Sequence, residues 1–189
     1  MQEQEHAESL EEYAIVLDFL SSGKADSLRS EPIVQLIGDN KFTLLEAVPK
    51  VKEIKIGERT YIGKGERDKI SLIKSRIGYT DLTETAKREL PDVITSIIKS
   101  QEKKFVDVFN NAAPLNIRMH SLELLPGIGK KHLDAILRAR EEKQFSSFED
   151  IEKRVTLLQD PVKLLKERVI EELQGESRFY LLTRPQFRK

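Results

Sequence analysis

The chain is 189 residues long and lacks cysteine, and its 32 basic and 32 acidic side chains cancel. This composition excludes a disulfide framework and thiolate metal centres, gives no global pull toward a polyanion, and offers no apolar run of the ~18 residues that span a bilayer. The length suits one large domain or two small ones.

The opening MQEQEHAESLEEY is acidic and lacks the apolar stretch of a signal peptide. A cysteine-free chain fits a reducing, cytoplasmic setting. Neutrality conceals an uneven distribution. Residues 1–40 carry nine acids and two bases, whereas residues 41–80 carry ten bases and five acids. Residues 111–189 are mildly basic, with 15 bases against 12 acids.

In chain order, residues 1–12 read as a flexible acidic N-terminus. Tyr13 to Leu20 is rich in β-branched and aromatic residues and predicts a strand, closed by a turn at Ser21-Ser22-Gly23-Lys24. Residues 23–32 predict a polar loop. Ile33 to Ile37 and Phe42 to Val48 predict a hairpin around Gly38-Asp39-Asn40-Lys41. After Pro49 and the lysine-rich stretch from Lys50 to Ile56, strands are predicted at 59–62 and 68–77, split by Gly63-Lys64-Gly65. Short strands separated by Gly turns predict a small antiparallel barrel, OB-like as the leading form and SH3-like as the alternative.

At Gly78 the apolar period changes. Thr80 or Asp81 predicts the cap of a short helix through Leu90, and Pro91 predicts the start of the next. Val93, Ile94, Ile97, Ile98, Phe105, Val106 and Phe109 then keep helical spacing over about five turns. Asn110 to Pro114 ends that helix. From Asn116 to Gly175 the chain reads as helical in short pieces, and Arg178 to Leu182 as a last strand or an ordered tail.

The sharpest local signal is LELLPGIGKKHLDAILRARE, Leu122 to Glu141. Leu122 and Leu125 precede Pro126-Gly127-Ile128-Gly129, and Leu133, Ile136 and Leu137 follow at helical spacing. Ile128 between the glycines is placed to tuck into the crossing of two helices. Gly127 and Gly129 permit positive φ or close backbone approach. The second helix then opens with unpaired amides, and these with the helix dipole make an anion site. Lys130 and Lys131 add positive charge, so a phosphate is the expected guest. A turn of this kind can also be purely structural.

The stretch resembles the helix-hairpin-helix motif, whose members commonly bind DNA, and sometimes RNA, through backbone phosphates without reading sequence. The resemblance implies that Gly127, Ile128 and Gly129 act through main-chain N–H groups and Lys130 and Lys131 through side chains. One position departs from the pattern: many members have a small residue where this chain has Leu133. Residues 142–151 resemble the connector that follows the first motif in paired hairpin domains, with Ser147 as a helix cap and Asp150 three residues on. Beyond it, the helix expected of a second copy is present from Val162 to Leu173, but no Gly hairpin precedes it, which reads as a degenerate repeat.

The whole chain is similar to an uncharacterised, largely archaeal family of predicted RNA- or DNA-binding proteins. The predicted fold class is α+β, with an N-terminal small antiparallel OB-like β-barrel and a C-terminal all-α helix-hairpin-helix domain whose second hairpin is degenerate. Expected boundaries are 1–12 for the flexible N-terminus, 13–79 for the barrel, 80–113 for linking helices, 114–175 for the hairpin domain and 176–189 for a tail. In the barrel, Lys50, Lys52 and Lys55 with Tyr61 predict a second nucleic-acid contact, basic groove plus stacking face. An alternating lysine stripe is equally read as a solvated or protected strand.

The expected function is therefore non-enzymatic, largely sequence-independent RNA or DNA binding, with no cofactor, no metal and no membrane partner. His6, His120 and His132 form no metal-ligand spacing, and no nucleophile elbow or phosphate-binding P-loop is present. Asp18, Asp39, Glu46 and Asp68 read as turn and surface residues rather than a metal-nuclease cluster. The alternative is a protein-interaction or scaffold module in a nucleic-acid-processing or translation complex, using the face around Ile94, Ile97, Ile98 and Phe105.

Overall fold

β-Branched and other large apolar side chains dominate the first strands of the computed structural model, which describes residues 11–23, 31–158, 160–175 and 177–185. Strands β1 (Tyr13–Leu20), β2 (Ile33–Gly38), β3 (Leu44–Pro49), β4 (Arg59–Tyr61) and β5 (Ile70–Arg76) form one antiparallel sheet in the order β4-β1-β2-β3-β5. Register shifts between Val16 and Asp18, Glu46 and Ala47, and Val48 and Pro49 add local bend and twist. The sheet curls into a half-barrel, consistent with an OB-like unit. Alternate residues Ala14, Val16, Val34, Leu36, Leu45 and Ala47 fill its core together with Ile54, Ile62 and Ile70.

Every residue of β2 is buried, so the strand is covered on both faces. Gln35 explains how a polar residue survives there. Its Nε2 donates to Glu46 Oε1 at 3.1 Å and to the Asp81 carbonyl at 3.0 Å, while its Oε1 accepts the Thr83 N–H at 2.9 Å. Thr83 Oγ1 donates to Asp18 Oδ2 at 2.6 Å and accepts the Ala86 N–H at 3.0 Å. Thr83 thus caps the following helix and fastens its start to the sheet. Glu46, expected at the surface, is a buried member of this network.

The predicted β2–β3 hairpin forms, with β3 starting at Leu44 because Phe42 adopts a left-handed φ of 56° that ends the turn. Glu11 holds that turn by accepting the N–H groups of Asn40, Lys41 and Thr43 at 2.9, 2.9 and 3.1 Å. The predicted polar loop after Gly23 falls largely outside the described residues.

The chain divides between Val93 and Ile94 into two compact units, and the C-terminal segment returns short pieces to each. The division falls inside α1 (Glu84–Ser100), which contains Pro91 rather than starting at it. A mid-helix proline costs about 3 kcal/mol through its lost N–H and ring clash. Leu90, Ile94, Ile97 and Ile98 are at most 1% exposed on that helix, and burial of each contributes about 1.5–3 kcal/mol. Packing on both sides of Pro91 therefore outweighs the local signal. The predicted five-turn helix is instead broken at Gln101, where φ −115° and ψ 36° separate α1 from α2 (Glu102–Asn111).

The second unit continues with a short hairpin that the sequence did not suggest, β6 (Pro114–Asn116) and β7 (Met119–His120). A 3-10 turn at Ser121–Leu124 leads to α3 (Lys130–Glu142), α4 (Phe148–Arg154) and α5 (Pro161–Gln174). The predicted cap on α4 is present: Ser147 Oγ accepts the Asp150 N–H at 3.0 Å. Asn110 ties the connector to α2, its amide group exchanging two hydrogen bonds with the Phe145 backbone at 2.9 and 2.8 Å. Residues 178–182 form no strand, and their order comes from α5: the Glu172 carboxylate accepts the N–H groups of Leu181 and Leu182.

Candidate nucleic-acid interface

The PGIG loop is built from its flanks inward. His120 and Glu123 make a reciprocal capping box around the 3-10 turn: His120 Nδ1 accepts the Leu122 N–H at 3.2 Å, and Glu123 Oε2 accepts the His120 N–H at 2.7 Å. Burial, then the Arg140 guanidinium, hold the His120 imidazole below its ordinary value, which keeps Nδ1 free to accept. The His120 N–H and the Lys130 ammonium hold the Glu123 carboxyl below the usual range. Leu122, Leu125 and Ile128 are buried on one side of the loop, and Leu133 and Ile136 on α3.

The geometry of the two glycines differs. Gly127 has φ +78°, a left-handed conformation that favours glycine. Gly129, the N-cap of α3, has φ −97° and ψ −175°, extended backbone that any residue adopts. A Cβ at either position meets nothing within 4 Å. Gly129 brings no side-chain oxygen to the first turn of α3, and that turn holds no acidic residue. The leading amides of Lys130, Lys131 and His132 therefore have no acceptor inside the helix, and Gly127, Gly129, Lys130 and Lys131 are all exposed.

Two expectations need correction. The Ile128 amide is not a free donor, because it bonds to the Leu125 carbonyl at 3.1 Å and closes the turn. The open donors lie one or more residues later. Lys130 is not an uncommitted cation either: its Nζ pairs with Glu123 at 2.7 Å and donates to the Arg118 carbonyl at 3.3 Å. Lys131 takes part in no ion pair among the described residues. The sequence reading also missed Arg118, which the β6–β7 turn sets beside the loop; only the tertiary fold brings it there.

Other cations of this unit serve the fold. Arg140 donates to the carbonyls of Phe109 and Ala112 at 3.0 and 2.9 Å, capping the end of α2. Arg154 does the same for α3 through Ala139 and Lys143. The mild basic excess of residues 111–189 is thus partly consumed inside the structure. The face proposed for a scaffold role is consumed too, since Ile94, Ile97, Ile98 and Phe105 are 0–2% exposed.

The predicted barrel contact lies in the first unit. Lys50, Lys52 and Lys55 are exposed on the β3–β4 loop, not along a strand. Lys50 Nζ reaches the Arg67 carbonyl at 3.3 Å. Tyr61 is not a free stacking platform. Its ring meets Tyr13 edge-on with centroids 5.2 Å apart, and its hydroxyl accepts the Gly65 N–H at 3.2 Å. Arg59 lies over Tyr13 at 3.6 Å and pairs with Asp39 at 2.8 Å. Nearby Lys69 pairs with Glu58, and Lys74 with Glu31. Among the described residues no group of three or more His, Asp or Glu side chains is placed to hold a metal ion, and no helix is long and apolar enough to cross a membrane.

Comparison with known proteins places these features in a lineage. Residues 10–184 match the model of a family described as a protein of unknown function, DUF655. An uncharacterized protein of Methanocaldococcus jannaschii is 43% identical over 180 residues, 94% of this chain and 82% of that protein. A crystal structure of a DUF655 protein from Archaeoglobus fulgidus is 48% identical, covers 92% of this chain and all of its own, and superposes with a TM-score of 0.85. A 70-residue stretch, 37% of this chain, is 40% identical to a segment making up 5% of a DNA polymerase III PolC-type from Thermotoga maritima.

Proposed function

The chain belongs to the DUF655 family of proteins of unknown function, and we propose that it is a non-enzymatic nucleic-acid-binding protein that grips backbone phosphates of RNA or DNA without reading sequence. In this reading the second unit is a helix-hairpin-helix module with a degenerate second hairpin, and the first is an OB-like barrel. The phosphate is held by the main-chain N–H groups at the start of α3, with Gly127 and Gly129 giving room for close approach. Lys131 supplies direct charge, and Arg118 and the partly neutralised Lys130 assist. Lys50, Lys52 and Lys55 add a weaker electrostatic contact, and Tyr61 serves as a structural prop for the β4–β5 connection at Gly65. Tethering two weak modules raises joint affinity through effective concentration.

Gly129 carries this reading. Its φ and ψ require no glycine and its Cβ position is open, and glycine, unlike the other good N-caps Ser, Thr, Asp and Asn, places no side-chain acceptor over the first-turn amides. The bare backbone leaves the first-turn amides open to an approaching phosphate. The 70-residue likeness to a DNA polymerase adds a nucleic-acid enzyme to the similar chains.

The test is binding to single- and double-stranded DNA and RNA across a salt series, for the parent chain and for Gly129→Val. Valine fits the Gly129 backbone and projects into open space, blocking the amides at the cost of a poorer N-cap, so circular dichroism of the variant precedes the binding series. Affinity that falls steeply with salt, and falls again in Gly129→Val, supports the clamp. No binding to any polymer at low salt overturns it. Binding left intact in the folded variant moves the contact to the barrel loop.

A further inference from the structure

Strands β6 and β7 meet at a two-residue turn, Ile117-Arg118. Such turns usually rely on Asn, Asp or Gly in left-handed conformations. Here neither turn residue has positive φ, and the Asn116 side chain secures the turn by accepting the Arg118 N–H at 2.8 Å. The Ile117 side chain takes no part, and it is fully exposed at 106% of its reference area. Leu115 and Met119 on the same hairpin are 41% and 36% exposed. Folding gives no reason to hold an aliphatic residue out in water at a turn where a polar one would serve, and an exposed apolar cluster on a rigid support marks a contact.

The hairpin is fixed at both ends. At its base, the Ser121 N–H and Oγ both donate to the Ala113 carbonyl, at 3.1 and 2.7 Å. At its tip, Lys130 Nζ donates to the Arg118 carbonyl at 3.3 Å, tying the turn to the first residue of α3. The apolar tip and the open amides are therefore held in one frame, with Arg118, Lys130 and Lys131 around them.

Resting on the phosphate-binding reading and deepening it, we propose that Ile117 is a wedge. When the PGIG loop holds a backbone phosphate of a duplex, Ile117 enters the adjoining minor groove and partly unstacks a base step. Aliphatic side chains act in this way in minor-groove binders, where unstacking lets the duplex bend onto more protein surface. The basic residues around the tip fit a polyanion and oppose an apolar protein face.

The experiment places 2-aminopurine, which brightens on unstacking, at the centre of short DNA and RNA duplexes. These are titrated with the full chain, with Ile117→Ala and with Gly129→Val. The expected result is brightening with the parent chain on at least one duplex. Ile117→Ala still binds, roughly tenfold more weakly at most, without brightening. Gly129→Val loses binding. Parent binding without brightening, or brightening that survives in Ile117→Ala, overturns the wedge and leaves the phosphate reading standing. Absence of binding to either duplex at low salt overturns the wedge; binding to single strands alone would still leave a phosphate clamp. A dimer that dissociates in Ile117→Ala with unchanged emission assigns the tip to a second copy and also overturns the wedge.

Discussion

Glu172 is wholly buried, and its Oε1 accepts from Arg168 Nε at 2.8 Å, one helical turn earlier on α5. Arg168 is itself 7% exposed and also donates to the Phe179 carbonyl. The same carboxylate accepts the Leu181 N–H at 2.6 Å and the Leu182 N–H at 3.1 Å. One buried ion pair thus pins the segment after α5 through three residues, Phe179, Leu181 and Leu182.

Removing Glu172 leaves the buried Arg168 with only the half-exposed Glu171, 3.3 Å away, as its ion-pair partner. Glu172→Ala is expected to destabilise the chain by up to about 3 kcal/mol, the lower end of the range for a broken buried pair, because Arg168 keeps Glu171. A paired Arg168→Met, Glu172→Leu replacement is expected to cost much less, because no charge stays stranded. Urea unfolding of the three proteins checks this; equal losses in both variants would show that the backbone contacts, not the charges, matter.

Gln35 joins sheet and helix through three hydrogen bonds within the first unit. Gln35→Leu preserves volume but strands the Thr83 N–H and the Asp81 carbonyl, at about 1–3 kcal/mol for each unsatisfied group. Hydrogen exchange at Thr83 to Lys87 should rise in the variant, because the helix cap loses its anchor. Unchanged protection there would mean that the Thr83 side chain suffices.

His120 makes stability depend on mild acid. Its folded value lies below 6.5, chiefly through burial, so the unfolded chain binds more protons as pH falls through that value. The contribution is complete above about pH 6.5 and declines as pH drops toward the folded value. Urea midpoints should fall between about pH 7.5 and 5.5, above the range where Glu123 protonates. In His120→Asn, whose Oδ1 can still accept the Leu122 N–H, the slope should flatten.

Glu123 restrains the charge at the loop. Glu123→Gln keeps an acceptor for the His120 N–H while freeing Lys130, so nucleic-acid affinity is expected to rise. Lys131→Ala should instead weaken binding to all sequences alike and reduce the salt slope by about one. Filter binding across salt measures both, and a Glu123→Gln affinity at or below the parent would show that Lys130 makes no phosphate contact.

Much of this architecture was legible along the chain. β1 follows its β-branched run from Tyr13 to Leu20, the β2–β3 hairpin follows its turn residues, and α4 begins where Ser147 caps it. These features depend on neighbours a few residues apart, and sequence displays such neighbours directly. The PGIG loop was legible for the same reason, as glycine conformation and a helix start are local properties.

What the sequence by itself determined was therefore most of the barrel strands, the Ser147 cap and the place where bare amides open a helix, but neither the β6–β7 hairpin nor the bounds of α1 and α2. Tertiary structure alone decided which groups remained available. It carried α1 through Pro91 because flanking apolar residues are buried, spent Lys130 on Glu123, and set Ile117 and Arg118 beside the loop. Each of these outcomes balances a local preference against burial or pairing with residues that only the folded chain brings near, and at about 1–3 kcal/mol apiece such terms are large enough to overrule the local pattern.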